Sequence, residues 1–408
     1  MTADVGPILC PPLPRTERFD GGWRWRSPAK INLTLHVGAL RGDGYHGLDS
    51  LVAKISLYDV LEFRPRDDGQ IALHCDGFDC GNTQDNLVFR AAKLMQERST
   101  AAPGCEIPSG ATPAESAGVP ARRTAANAAA VAPGTAAQSD VAAGLRSHGT
   151  QHQRERDARD THGRDGQVTS RGVDIRLTKN IPPGSGLGGG SGDAATTLLA
   201  LNELWSLLLP ATELAEMAAA LGSDVPLFLA SPAVHMQGRG EIVRDVQLPP
   251  FWAVLYLSGR HCATGKVYKA FDEQLRRDVP AGPKRGQACP PYNSSPSGRG
   301  RPAGPGEGAR VPASTVPDST PATALTGQPS TWPTICVNDL QRPALEVCPP
   351  LEELMRELSR LTGEKVLMTG SGSGLFILAD DEASAMALAT KLPPEMQQHC
   401  RVVCRNTW

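Results

Sequence analysis

The chain has little aromatic material, since Phe, Trp and Tyr together make up 5% of its 408 residues. It also has no long apolar run. Nothing approaches the ~20 consecutive residues a membrane-spanning helix needs. The stretch Met1 to Gly22 has no apolar core of signal-peptide length, and its prolines interrupt what there is, so a cytoplasmic protein is expected. Neither sign of charge dominates: 41 Lys+Arg stand against 43 Asp+Glu, a net charge of −2. That balance argues against a nucleic-acid binder with a bulk basic surface and against a polybasic membrane-surface module. The 10 cysteines include no C-x-x-C pair. The nearest pairs are Cys75 with Cys80 and Cys400 with Cys404. Zinc knuckles need tighter pairing, which leaves reduced, mostly buried thiols as the expectation.

Glycine and proline, 42 and 35 residues, are abundant but unevenly placed. From about Ser99 to Ser170 the chain is Ala, Gly, Pro, Thr, Arg and Asp without an aromatic. From about Val279 to Ser330 it is again Pro, Gly, Ser, Arg and Thr, with Tyr292 its single aromatic. Such compositions do not bury enough apolar surface to offset chain entropy, and both segments are expected to be disordered insertions. Long surface insertions cost little, because closure entropy grows only logarithmically. Setting both aside leaves roughly 285 residues of ordinary composition, enough for two packed domains.

That remainder alternates strand and helix signals. Ile31, Leu33, Leu35 and Val37 alternate with Lys30, Asn32, Thr34 and His36. This period of two predicts a half-buried strand with Lys30 and Asn32 on its non-core face. Leu51–Phe63 and Val173–Leu177 predict further strands. Asn86–Gln96 and the rows Ala194, Leu198, Leu201, Trp205 and Leu214, Met217, Ala218, Leu221 predict helices. Thr212 is the expected N-cap of the last of these and Gly222 its stop. After Phe251 come four strand signals (252–257, 366–368, 375–378, 401–404) and two helices (351–361, 382–392).

The strongest chemical feature is the run Pro182-Pro183-Gly184-Ser185-Gly186-Leu187-Gly188-Gly189-Gly190-Ser191-Gly192-Asp193 between a strand and a helix. Glycines let main-chain N–H groups approach a ligand, and a helix N-terminus adds free donors. The result is a cradle for anions, polyphosphate above all; the alternative is a flexible linker. The Walker pattern fails because Asp193 and Ala194 follow Gly192. Gly184-x-Gly186-x-x-Gly189 matches the dinucleotide fingerprint, but no second strand ending in an acidic residue follows. A second glycine run, Thr369-Gly370-Ser371-Gly372-Ser373-Gly374, lies between two predicted strands. It is either a tight hairpin turn or the other wall of a phosphate site.

Three motifs resemble those of the GHMP small-molecule kinases: Ser27-Pro28-Ala29-Lys30-Ile31-Asn32-Leu33, Pro182 through Gly186-Leu187-Gly188-Gly189-Gly190 to Ser191, and Gly370-Ser371-Gly372-Ser373-Gly374. Further segments resemble the branch that acts on a cytidine diphosphate sugar-alcohol: Arg41-Gly42-Asp43-Gly44-Tyr45-His46, Asp85-Asn86-Leu87, Leu221 to Pro226, Gly238-Arg239-Gly240-Glu241 and Asn338-Asp339-Leu340. The match runs from about Arg24 to Val403, the two biased insertions excepted.

The resemblance implies an α+β fold of two domains: a left-handed βαβ N-terminal domain (23–245) that binds ATP, and a ferredoxin-like C-terminal domain (246–408), with 1–22 a disordered tail. It implies ATP-dependent phosphorylation of a small-molecule alcohol by a monomer or homodimer, without nucleic-acid or membrane partners. Asp224 matches the catalytic base, although from sequence alone it reads as a helix N-cap. Lys30 matches the catalytic lysine, and would otherwise be a solvated strand residue. The ATP cradle is Pro182 to Gly192 with Gly370, Ser371 and Gly372. Asn32, Tyr45, His46, Thr264 and Tyr268 match the acceptor site, with the base between Tyr45 and Tyr268 and His46 at its edge; Tyr45 and His46 otherwise read as turn residues. One departure stands out. The family carries two serines where this chain has Ser191-Gly192, so Ser191 becomes the candidate for holding magnesium, with Thr196 a second hydroxyl one turn on. Two alternatives stay open: a family member whose acceptor has no base, and a nucleotide-binding protein without turnover, which Gly192 favours.

Overall fold

The computed structural model describes residues 6–42, 44–101, 171–278 and 325–408. The first half runs β1 (Ile8–Cys10), β2 (Thr16–Phe19), β3 (Gly22–Asn32), β4 (His36–Leu40), β5 (His46–Arg66), β6 (Ile71–Gly77), α1 (Leu87–Ala101), β7 (Gly172–Lys179), α2 (Gly189–Leu204), α3 (Ala211–Leu221), α4 (Val225–Leu229), β8 (Ala233–Gly238) and β9 (Ile242–Asp245). The second runs β10 (Trp252–Tyr256), α5 (Thr264–Asp278), α6 (Gln341–Val347), α7 (Pro349–Thr362), β11 (Leu367–Met368), β12 (Leu375–Ala379), α8 (Glu382–Thr390), α9 (Pro394–Gln397) and β13 (Cys400–Cys404).

An eight-stranded sheet has the path β2-β3-β5-β7-β6, with β4 and β8 on β5 and β9 on β8. Strands β6 and β7 are parallel, with α1 between them, which is the βαβ unit of the N-terminal half. The five-stranded sheet is ordered β1-β13-β10-β12-β11. Its last four strands pair antiparallel in the ferredoxin-like order. Three apolar clusters hold the chain together. Phe63, Ile175, Leu198 and Leu201 pack between the large sheet and its helices. Val254, Leu351, Leu358 and Ile377 fill the second half. Ile31, Leu51, Ile55, Phe251, Trp332 and Phe376 join the two sheets.

Several expectations need correction. Residues 1–22 are not a disordered tail throughout: β1 runs parallel to β13 and β2 antiparallel to β3. Strands of three and four residues carry no period to read, and both lie at sheet edges, where neighbouring prolines are tolerated. Ser56 Oγ donates to Cys10 O (2.5 Å) and Trp408 Nε1 to Leu13 O (2.7 Å), which ties the segment down. Of the two expected insertions, 102–170 and 279–324 lie outside the described residues, but their edges are structured. Helix α1 continues to Ala101. Leu325 is fully buried, and Ser330 donates through both N and Oγ to Asp380. Thr212 is not an N-cap: α3 starts at Ala211 behind Pro210, without a side-chain cap. Gly222 does close that helix. Finally, Lys30 and Asn32 are not on a solvated face; both are buried, because glycine loops from both halves cover them.

Candidate functional site

The two glycine runs are packed on each other. Gly374 N donates to Ser185 O (2.9 Å), and a side-chain carbon at Gly186 would lie 2.4 Å from Thr369 O. Gly186 has φ 76° and Gly188 φ 71°, left-handed conformations that glycine adopts without strain. Asn338 Nδ2 props the second run by donating to Met368 O and Gly370 O, both at 2.9 Å.

Cavities open on both sides of the first run. One, about 530 Å³, is lined by Asn86, Lys179 and the loop from Pro182 to Gly186 and Gly188 to Ser191. The other, about 570 Å³, contains Lys30, Asn32, Tyr45, His46, Asp224 and Tyr268. Gly186 and Gly188 line both, so the loop is a shared wall between the space expected to take the nucleotide and the space expected to take the acceptor. No side chain caps α2, whose N-cap Gly188 is left-handed. A phosphate at this end would meet free N–H donors, and in that sense the loop fits a polyphosphate.

At the junction, Lys30 Nζ donates to Asn32 Oδ1 (2.5 Å) and lies 3.9 Å from Asp224 Oδ2. Lys30 N donates to Leu187 O (2.9 Å), which ties the lysine to the loop. Asn32 Nδ2 donates to Ser50 Oγ (2.8 Å). Burial pulls the Lys30 ammonium below its ordinary value, and the Asp224 charge partly restores it. Asp224 precedes α4, but its side chain makes no capping bond, so its oxygens are available to the cavity.

The acceptor side is polar and aromatic. His46 stacks on Tyr268 with ring centroids 5.5 Å apart and 29° between planes. Its Nδ1 is 2.9 Å from Gly38 O and its Nε2 3.3 Å from Asp272 Oδ1. Tyr45 sits at the exposed rim with the Arg239 guanidinium 5.1 Å from its ring centre. Burial, and then the charge of Asp224, push the Tyr268 phenol up to about 12. Thr264 Oγ1 is 3.0 Å from Ser371 Oγ.

Most sequence-assigned residues therefore meet, with some differences. Gly370 and Ser371 line the acceptor side rather than the nucleotide side. Leu187, Gly192 and Gly372 line neither cavity. Ser185 Oγ donates to Pro182 O (2.6 Å), inside the loop. Ser191 does face the nucleotide side, while Thr196 is buried away from it. Gly192 has a structural reason: a side-chain carbon there would lie 2.8 Å from Ser27 Oγ, 3.0 Å from Pro28 O and 3.2 Å from Phe228 Cε1. Ser27 Oγ is buried there without a hydrogen-bond partner. Among the described residues no three His, Cys, Asp or Glu side chains group to hold a metal. Ser191, with phosphate oxygens and water, is the donor set that would suit magnesium.

Sequence reasoning missed a buried charge cluster behind the loop. Lys179 Nζ donates to Asp193 Oδ2 (2.7 Å) and to Asp59 Oδ2. Asp59 Oδ1 accepts from Asn180 N and Ile181 N (2.6 and 2.8 Å), anchoring the strand that enters the loop. Burial and the neighbouring Asp193 raise Asp59 to about 7 against the pull of Lys179. One signal was present: Asp59 is a charged residue between Leu57-Tyr58 and Val60-Leu61.

Both halves of this two-domain fold match family models of the GHMP kinases. The family model for the GHMP kinases N terminal domain matches residues 156–231, and that for the C terminal domain matches 331–397. The fold is that of a small-molecule kinase. It is 32% identical over 256 residues to a 4-diphosphocytidyl-2-C-methyl-D-erythritol kinase of Shewanella woodyi, covering 63% of this chain and 66% of that one. It is 33% identical over 253 residues to the protein of that name from Burkholderia cenocepacia, covering 62% of each. The chain thus spans slightly under two thirds of these relatives' lengths. A crystal structure of 4-(cytidine 5'-diphospho)-2C-methyl-D-erythritol kinase superimposes with a TM-score of 0.55 at 27% identity, covering 94% of this chain and 99% of that one.

Proposed function

We propose that the protein transfers the terminal phosphoryl group of ATP to the 2-hydroxyl of 4-diphosphocytidyl-2-C-methyl-D-erythritol, giving the 2-phosphate and ADP, in the methylerythritol phosphate route to isoprenoid precursors. The observation that carries this is the Lys30–Asp224 pair standing where the two cavities share the Gly186–Gly188 wall. ATP lies along the loop on one side, and the alcohol reaches Asp224 from the other. Asp224, a carboxylate without a capping bond, accepts the hydroxyl proton as the oxygen attacks. Lys30, oriented by Asn32, holds Asp224 and offsets negative charge on the transferring group. Magnesium, when bound, neutralises phosphate charge; Ser191 is the hydroxyl placed to meet it. Tyr268, Tyr45 and His46 supply flat surfaces and polar edges for a cytosine ring, and Arg239 at the rim meets diphosphate charge. The working form is a cytoplasmic monomer or homodimer.

A substrate panel with ADP readout tests the proposal. Turnover is expected with the cytidyl compound and not with homoserine or mevalonate. Turnover with either of the latter and none with the former overturns it, as does ATP binding without any turnover.

A further inference from the structure

Three lysines are buried among the described residues: Lys30, Lys54 and Lys179. Lys30 lines the acceptor cavity and Lys179 the nucleotide-side cavity. Lys54 lines neither. It faces Lys30 directly across the antiparallel β3–β5 ladder, so both side chains leave the same face of the sheet.

Helix α4 spans that pair. At its start, Lys30 Nζ lies 3.9 Å from Asp224. At its end, Lys54 Nζ donates to Phe228 O (3.1 Å) and Ala230 O (2.6 Å). A five-residue helix has few internal hydrogen bonds, and its terminal carbonyls need outside donors. The same turn reaches the glycine loop: a side-chain carbon at Gly188 would lie 2.9 Å from Phe228 Cζ, and one at Gly192 3.2 Å from Phe228 Cε1. Lys54 is itself fixed at both backbone groups, its N to Pro232 O and its O from Asn406 N, each 2.8 Å.

We propose that Lys54 is a positioning residue, whose ammonium ties down the end of α4 and thereby sets Asp224 against Lys30 and the glycine loop. The inference rests on Asp224 being the base of the proposed reaction. The charges around Lys54 are Lys30 across the ladder, Arg15 before β2 and Asp245 at the end of β9. Burial and Arg15 bring Lys54 down to about 7, against the pull of Asp245. The charged form makes the stronger hydrogen bonds. The tie is therefore at full strength below pH 7 and weakens as pH rises through it.

The test compares the full chain with Lys54→Met and Lys54→Arg, following amide hydrogen exchange and steady-state kinetics. In Lys54→Met, exchange is expected to quicken at 225–230 and stay unchanged in the two sheets. Its kcat should fall roughly tenfold or more, with KM for ATP within about twofold of wild type. Wild-type kcat should show an alkaline loss centred near pH 7 that Lys54→Arg lacks. Unchanged exchange at 225–230, or wild-type kcat in Lys54→Met, overturns the proposal. If the Met variant does not fold, wild-type exchange at 225–230, corrected for intrinsic rate, decides: protection lost as pH rises through 7 supports the tie and constant protection overturns it. If the wild type fails to phosphorylate the cytidyl compound, the proposed function falls, and exchange alone decides whether Lys54 holds α4.

Discussion

The Lys30 ammonium lies 3.9 Å from the Asp224 carboxylate, at an edge where two cavities share a wall of glycines. A base placed so has a specific signature when removed. Asp224→Asn keeps shape and loses proton affinity, so kcat should fall by about 10²–10⁴-fold while ATP affinity, measured by calorimetry, changes little. Turnover equal to wild type rejects Asp224 as the base.

Ser27 and Gly192 act as one packing unit. Gly192→Ser crowds the Ser27 hydroxyl, Pro28 O and the Phe228 ring, and overpacking of this kind costs about 1–3 kcal/mol. Ser27→Ala removes a buried hydroxyl without a partner, which should be neutral or stabilising. In urea melts, the double variant should lose less stability than Gly192→Ser alone. Additive losses would show that the two positions do not share space.

The Lys179 cluster carries two buried carboxylates on one ammonium. Lys179→Met leaves both uncompensated and should cost about 3–5 kcal/mol, read by denaturant unfolding.

The same cluster makes stability depend on pH. Asp59 is raised from 3.8 to about 7, so the folded state holds a proton that the unfolded chain releases. The stability this adds is complete below pH 3.8 and is lost as pH rises through 7. Unfolding free energy should fall between about pH 4 and 7, and Asp59→Asn, which keeps an acceptor for Asn180 N and Ile181 N, should flatten that slope. An equal slope in both proteins places the titration elsewhere.

Tyr268 offers its ring beside His46. Tyr268→Ala should raise KM for the cytidyl compound roughly tenfold, in line with about 1–3 kcal/mol per stacked base, and Tyr268→Phe should leave it near wild type. Equal KM values in all three mean that the base sits elsewhere.

The two glycine runs and the helices with regular apolar rows were legible because each is written in consecutive residues, whereas the alternation from Lys30 to Val37 runs across the end of β3, a break and the start of β4. Lys30, Asp224 and Tyr268 came through motifs, since nothing local distinguishes Lys30 from a solvated strand residue. What stayed hidden depends on distant pairs. Lys54 looks like one polar residue in the strand signal of 51–63, and its meaning appears only when α4 lies across it. The reason for Gly192 is Ser27, far away in the chain. Helix α5 was missed because its charged residues outnumber its apolar row of Val267 and Phe271, so it resembles linker until its buried face has a partner.

The parallel pairing of β1 with β13 has a consequence for biosynthesis. Ile8–Cys10 emerge from the ribosome long before their sheet neighbour, Cys400–Cys404. Ile8–Cys10 therefore stay without the strand they pair with until translation has passed Cys404, and that clasp is among the late contacts of folding on the ribosome.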